Sequence, residues 1–174
     1  MFARLRPIWK LVILVFFILL TFSYAMFQGG FVSWFLFYSF LPFSIYGLAL
    51  SFYKIKGIVI EREFTKQEFN AGEKLKVKIK IKRNSAFPLF YMVIEDYLGD
   101  ELSFSLQNNP TKTFVYPHFR KYIEFEYVIN DLPRGEHHFK GIEIKVGDPL
   151  GLIEKEIHFL TGEDKIIVNP SYED

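Results

Sequence analysis

Most of the residues that could do chemistry gather in one stretch, residues 132–159, reading LPRGEHHFKGIEIKVGDPLGLIEKEIHF. It carries an Arg-Gly, the adjacent histidines His137 and His138, an Asp-Pro-Leu-Gly and a third histidine, His158; His118 stands upstream. Histidine titrates near neutral pH and ligates metals, so each is a candidate acid, base or ligand. Neighbouring residues on a strand face opposite ways, however, so His137 and His138 cannot readily hold one metal ion between them. No H-x-H or H-x-x-x-H spacing supplies a second ligand. The carboxylates Glu95 and Asp96 split across a strand in the same way, whereas carboxylates that cleave sugars must converge on a cleft. The sequence has no phosphate-binding glycine loop, no dinucleotide fingerprint and no nucleophile elbow. The absence of cysteine removes disulfides, thiol catalysis and cysteine-ligated zinc together. The expectation is a protein without catalytic residues, metal ligands or cofactor.

The same stretch reads well as turn chemistry. Pro133 fixes a backbone angle and Gly135 permits one that other residues avoid, which bends the chain into the strand bearing the two histidines. In the next turn Asp148 accepts hydrogen bonds from nearby main-chain N–H groups, Pro149 presets the bend and Gly151 closes it. Arg134, Gly135, Asp148, Pro149 and Gly151 are therefore expected to be structural. A turn needs no guanidinium, so Arg134 is expected to pair with a carboxylate such as Asp148.

These residues must be positioned by strands. From residue 57 onward, short runs of Val, Ile, Phe and Tyr alternate with Gly, Pro and Asn. Strands are predicted over residues 58–64, 74–83, 89–98, 102–106, 111–116, 121–130, 136–146, 153–160 and 165–168. The predicted fold class is an N-terminal transmembrane α-helical hairpin followed by an all-β domain over residues 57–174, a β-sandwich of immunoglobulin or fibronectin-like type. The clearest strand alternates Lys74, Lys76, Lys78, Lys80 and Lys82 with Leu75, Val77, Ile79 and Ile81. Period two sends the aliphatics to the core and the lysines to water. That basic stripe is a candidate contact for anionic lipid headgroups. Glu124 and Glu126, on one face of another predicted strand, would neutralise it if the two strands are neighbours.

Residues 11–53 contain no Asp, Glu, Lys or Arg. A bilayer core takes about 20 apolar residues per helix, so two spans are predicted, over residues 8–27 and 31–53, with Gln28-Gly29-Gly30 as the turn. They form an anchor over residues 1–56. Arg4, Arg6 and Lys10 precede the first span and Lys54, Lys56 and Arg62 follow the second, which predicts both ends in the cytoplasm of a multi-pass cell-membrane protein. The competing reading is a signal peptide cleaved after Ser23-Tyr24-Ala25. Setting Arg4, Arg6 and Lys10 aside, the 21 basic residues fall to 18 against 20 acids, so the β region carries about −2 and is not expected to bind nucleic acid.

Three motifs in order carry a resemblance: Arg134-Gly135, then Asp148-Pro149-Leu150-Gly151-Leu152, then Val168-Asn169-Pro170. With the paired apolar spans and EFNAGEKLKVKIKIKRNSAFPL over residues 68–89, they resemble a bacterial and archaeal membrane-anchored family, the domain-of-unknown-function fifty-eight family. Leu150 replaces the phenylalanine usual there. The resemblance implies two transmembrane helices, a β-sandwich and then a von Willebrand factor A-like domain, whose distinctive segment would lie beyond Asp174. It also implies a partnership with MoxR-type AAA+ ATPases, and it carries over no catalytic residue. The expected function is a non-enzymatic, membrane-anchored scaffold or adaptor that docks a protein partner. Alternatives are a lipid- or ligand-binding sandwich using residues 74–82, and an exported envelope or adhesion module. The expected partners are the lipid bilayer, an AAA+ ATPase or a downstream von Willebrand factor A-like domain.

Overall fold

The computed structural model describes residues 6–55, 57–99, 102, 111–160 and 164–170. Two helices open the chain, α1 (Arg6–Gln28) and α2 (Phe31–Phe52), and α2 runs continuously through Pro42. Both are long and apolar enough to cross a membrane, and only 11% and 17% of the residues in their most apolar windows are buried. A core helix of a water-soluble fold would hide a far larger share of such a surface. Gly29, at φ 64°, makes the turn between them.

The all-β domain that follows comprises β1 (Ile58–Phe64), β2 (Glu68–Asn70), β3 (Leu75–Arg83), β4 (Tyr91–Leu98), β5 (Lys112–Val115), β6 (Tyr122–Ile129), β7 (Gly135–Gly147), β8 (Glu154–Phe159) and β9 (Lys165–Asn169). One sheet runs β1-β3-β6 and is antiparallel throughout. The other runs β2-β9-β7-β4-β5, with β8 also paired to β7. The long β7 borders β9 along residues 135–138 and β8 along residues 142–147. Of the strand predicted at 102–106, residues 103–106 lie outside the described residues, and Leu102 is buried but not in a strand. The short β2, which pairs parallel with β9, is absent from the sequence-based expectation. It buries a single side chain, Phe69, too little to leave an alternation.

The two sheets face each other across an aliphatic core. Leu75, Val77, Ile79 and Ile81 of β3 meet Met92, Ile94 and Leu98 of β4 and Ile142, Ile144 and Val146 of β7, all buried. Each such side chain contributes about 1.5–3 kcal/mol on burial. Set into this core is a polar cluster. The Arg62 side chain on β1 is fully buried and donates to both oxygens of Asp96 on β4, at 2.5 Å and 3.2 Å. The Tyr127 hydroxyl on β6 donates to the same carboxylate at 2.7 Å, and Arg62 also reaches Asp164 at 2.6 Å. The Arg62 guanidinium lies over the Phe139 ring, 4.8 Å from its centroid. Burial pushes the Asp96 carboxyl up and Arg62 and Tyr127 oppose it; burial beside Asp96 pushes the Tyr127 phenol up as well. Arg62 is thus a core residue, not one of the cations flanking the second span.

Removing one member of a buried ion pair strands the other charge and costs about 3–5 kcal/mol. Asp96→Ala should lower the thermal midpoint of the detergent-solubilised protein accordingly, followed by circular dichroism in the β region. Replacing Arg62 and Asp96 together by Met and Leu should recover part of the loss, because no fully buried charge is then stranded; Asp164 turns to solvent and the Tyr127 hydroxyl loses its acceptor.

Candidate functional site

The Asp-Pro-Leu-Gly turn lies where the β domain meets the helices. Asp148 is buried; its side chain accepts from the main-chain N–H groups of Leu150 at 3.0 Å and Ile153 at 2.5 Å. Its own carbonyl accepts from Gly151 and its N–H donates to the Ile153 carbonyl, both at 3.0 Å. Gly151 takes φ 68° and Gly135, at the start of β7, φ 132°, values that favour glycine. Arg134 does not reach Asp148, whose oxygens are already occupied by main-chain donors; the expected pair does not form. Arg134 is exposed on the loop before β7, and nothing in the structure assigns its guanidinium a role.

Past this turn, Ile153 is buried facing Gly47 of α2 and Leu14 of α1. Lys155 on β8 donates to the carbonyls of Ser51 at 2.8 Å and Tyr53 at 2.5 Å, capping the C-terminal end of α2. Helix C-termini present unsatisfied carbonyls and a partial negative charge, so a cation there is favourable. Burial lowers the Lys155 pKa. The Tyr46 hydroxyl donates to the Pro88 carbonyl at 2.9 Å and accepts from the Phe90 N–H at 3.0 Å. Tyr53 stacks on Phe87 with centroids 4.3 Å apart, and Lys10 of α1 pairs with Glu154 at 3.3 Å. The β domain is therefore seated on the end of the hairpin by one cap, one tyrosine and one aromatic stack.

The lysine stripe is a paired surface. β3 lies between β1 and β6, opposing Lys80 to Glu61 and Glu124, and Lys78 to Glu63 and Glu126. Lys76 reaches Glu126 at 2.6 Å, Lys78 reaches Glu124 at 2.9 Å and Lys80 reaches Glu63 at 2.6 Å. Lys82 sits over the Tyr122 ring at 5.6 Å, and Lys74 is exposed before the strand. A stripe interleaved with acids offers anionic headgroups little net positive field.

The histidines do not converge. His137 is buried, its Nε2 2.7 Å from the Pro133 carbonyl, while His138 is exposed beside Glu136. Glu95 pairs with Lys112 on the outside of β4, away from the buried Asp96. One cluster that the sequence did not suggest joins β7 and β8: Glu143, Glu156 and His158 each bring a ligand atom within 4.8 Å of one another. The cross-strand pairing of Glu143 with His158 creates it. Lys145 already occupies the cluster, 2.7 Å from Glu143 and 3.5 Å from Glu156. The Tyr97 hydroxyl donates to Glu143 at 2.7 Å, and its pKa is pushed up to about 12 by that carboxylate and by burial. Burial alone would raise the Glu143 pKa, but hydrogen bonds from Lys145 and Tyr97 outweigh it and hold the carboxyl below the ordinary glutamate range. An ammonium held by two carboxylates makes this a closed ion-pair cluster, chemically unlike an open metal site.

A carboxyl with a depressed native pKa adds stability above its unfolded value, about 4.3, and loses it as pH falls through the native pKa. Glu143→Gln should therefore destabilise the protein at pH 7 and flatten the acid limb of its thermal midpoint plotted against pH. Equal slopes for both proteins below pH of about 5 would contradict this.

No protein-family model matches the chain. It is 43% identical over 166 residues to a Bacillus subtilis (strain 168) protein, uncharacterized protein YeaD, a match covering 95% of this chain and 42% of that relative. The chain thus spans less than half the length of the relative it matches. Among solved structures, the CARDB domain of a Pyrococcus furiosus protein, in complex with di-metal ions, aligns at a TM-score of 0.44 and 8% identity, over 68% of this chain and 98% of that one. The sporulation control protein Spo0M of Bacillus subtilis aligns at 0.32 and 14% identity, over 66% of this chain and 50% of that one.

Proposed function

We propose that this protein is a non-enzymatic, membrane-anchored adaptor whose β domain, of immunoglobulin-like type, docks a protein partner. The observation that carries the reading is the seating of the β domain on the helix hairpin through Tyr46, Tyr53 and Lys155. Such a joint turns the hairpin into a pedestal for a fixed surface. The acidic groups described above are taken up by lysines, arginine, tyrosine and main chain, and the buried His137 by a main-chain carbonyl, which suits a structural role for them. Positive flanking charge supports a multi-pass hairpin with the β domain on the cytoplasmic side. The resemblance to the domain-of-unknown-function fifty-eight family supplies the candidate partner, a MoxR-type AAA+ ATPase. The docking surface lies along β6, an outer strand of the three-stranded sheet, where Val128 is exposed. Outer strands accept added strands.

The native chain has no cysteine, so single introduced thiols report cleanly. A cysteine at Lys78 should react with a membrane-impermeant maleimide only after cells are permeabilised. Reaction in intact cells would place the domain outside. A photoreactive phenylalanine analogue at Val128 should crosslink to the ATPase in cells expressing both. Adducts absent at Val128 but formed from the opposite sheet would move the docking surface, and no adduct from either sheet would refute the ATPase as partner.

A further inference from the structure

Five consecutive exposed residues, His118, Phe119, Arg120, Lys121 and Tyr122, lie in and after the β5–β6 loop. Phe119 and Tyr122 are 69% and 68% exposed, unusual for aromatic side chains in an ordered β domain. Phe90, Phe114 and Tyr116 are exposed beside them, with Phe90 against the His118 ring and Phe114 against Tyr116. The loop is built rather than loose. His118 takes φ 49° and exchanges two main-chain hydrogen bonds with Leu89. The buried Arg83 donates to the carbonyls of Arg120, His118 and Phe87, tying the β3–β4 and β5–β6 loops into one lobe. The side chains of Arg120 and Lys121 have no ion-pair partner among the described residues, unlike Lys76, Lys78 and Lys80.

The position of this lobe matters more than its composition. Phe87, Pro88 and Phe90, on the same lobe, hold Tyr46 of α2. Tyr46 is six residues before the end of α2 at Phe52, about 9 Å back along the helix axis. α2 has 22 residues, about 33 Å of helix, against a hydrocarbon core of about 30 Å. If α2 spans the bilayer centrally, Tyr46 lies about 7–8 Å inside the edge of the hydrocarbon core, so the loops gripping it reach the headgroup–acyl boundary. Aromatic rings and unpaired cations are the side chains that suit that layer.

We propose that the lobe formed by Phe90, Tyr116, Phe119, Arg120, Lys121 and Tyr122 inserts into the anionic headgroup layer of the bilayer that α1 and α2 span. This proposal rests on the reading of the two helices as a membrane hairpin. The sheet face carrying Lys76, Lys78 and Lys80 stays in water. The rings enter the headgroup–acyl boundary while Arg120 and Lys121 meet lipid phosphates.

The test uses the whole chain in vesicles of phosphatidylcholine and phosphatidylglycerol, with single spin-labelled cysteines at Phe119, Tyr122, Lys78 and Leu19. Oxygen and nickel-chelate accessibility then report depth. Labels at 119 and 122 should lie about 5–10 Å into the headgroup–acyl boundary, the label at 78 in water and the label at 19 in hydrocarbon. Arg120→Gln with Lys121→Gln, or phosphatidylcholine alone, should move labels 119 and 122 outward. Water-like labels at 119 and 122 beside a lipid-like label at 19 overturn the proposal and leave the hairpin intact. Labels at 119 and 122 shielded from both reagents overturn it too, since protein would then cover the lobe. A water-exposed label at 19 refutes the hairpin itself.

Discussion

One carboxylate ties the two sheets together. Asp96 projects from β4 and takes hydrogen bonds from Arg62 on β1 and Tyr127 on β6, so both outer strands of the smaller sheet are held to the larger one. Hydrophobic contact is non-directional and would let the sheets slide or change register at small cost. A bidentate guanidinium tolerates neither. Arg62 also contacts Asp164 ahead of β9, so the same cation reaches the strand that borders β2 and β7. The aliphatic core supplies the stabilisation, and the buried polar cluster selects the arrangement.

With the sheets fixed, their loops fall at defined ends. The end nearest the helices collects the β7–β8 turn organised by Asp148 and the two loops clamped by Arg83. Both organisers are buried charged side chains satisfied entirely by main chain: Asp148 by two N–H donors, Arg83 by three carbonyls. Each converts an irregular segment into a rigid surface that α2 can meet. The Lys155 cap then closes the joint from the sheet side.

Much of this was legible in the sequence because period two leaves a strong trace. The alternation in β3 gave its bounds to within a residue and identified Leu75, Val77, Ile79 and Ile81 as inward. The alternation over residues 58–64 predicts a strand, and β1 has those bounds. The uncharged run gave the two helices. Arg62 follows the second apolar run as a flanking cation would, yet it shares parity with Ile58, Ile60 and Phe64, the less exposed face of β1. Asp96 shares parity with Met92, Ile94 and Leu98. A charged residue in phase with core aliphatics, on each of two strands, is the mark of a buried pair. The Glu143 cluster left no such mark, since it depends on cross-strand register; Arg83 does share parity with Leu75, Val77, Ile79 and Ile81, but its carbonyl partners depend on loop closure. The same holds for β2, where three residues and one buried ring carry no period.

The joint between α2 and the β domain has a mechanical side. The connecting segment between Phe52 and Ile58 is short, and the contacts of Tyr46, Tyr53 and Lys155 lie on both sides of it. A swivelling tether would absorb any pull applied to the far end of the sandwich. A joint fastened on both sides transmits that pull as torque, so load on the β domain arrives at the helix hairpin as a change of tilt.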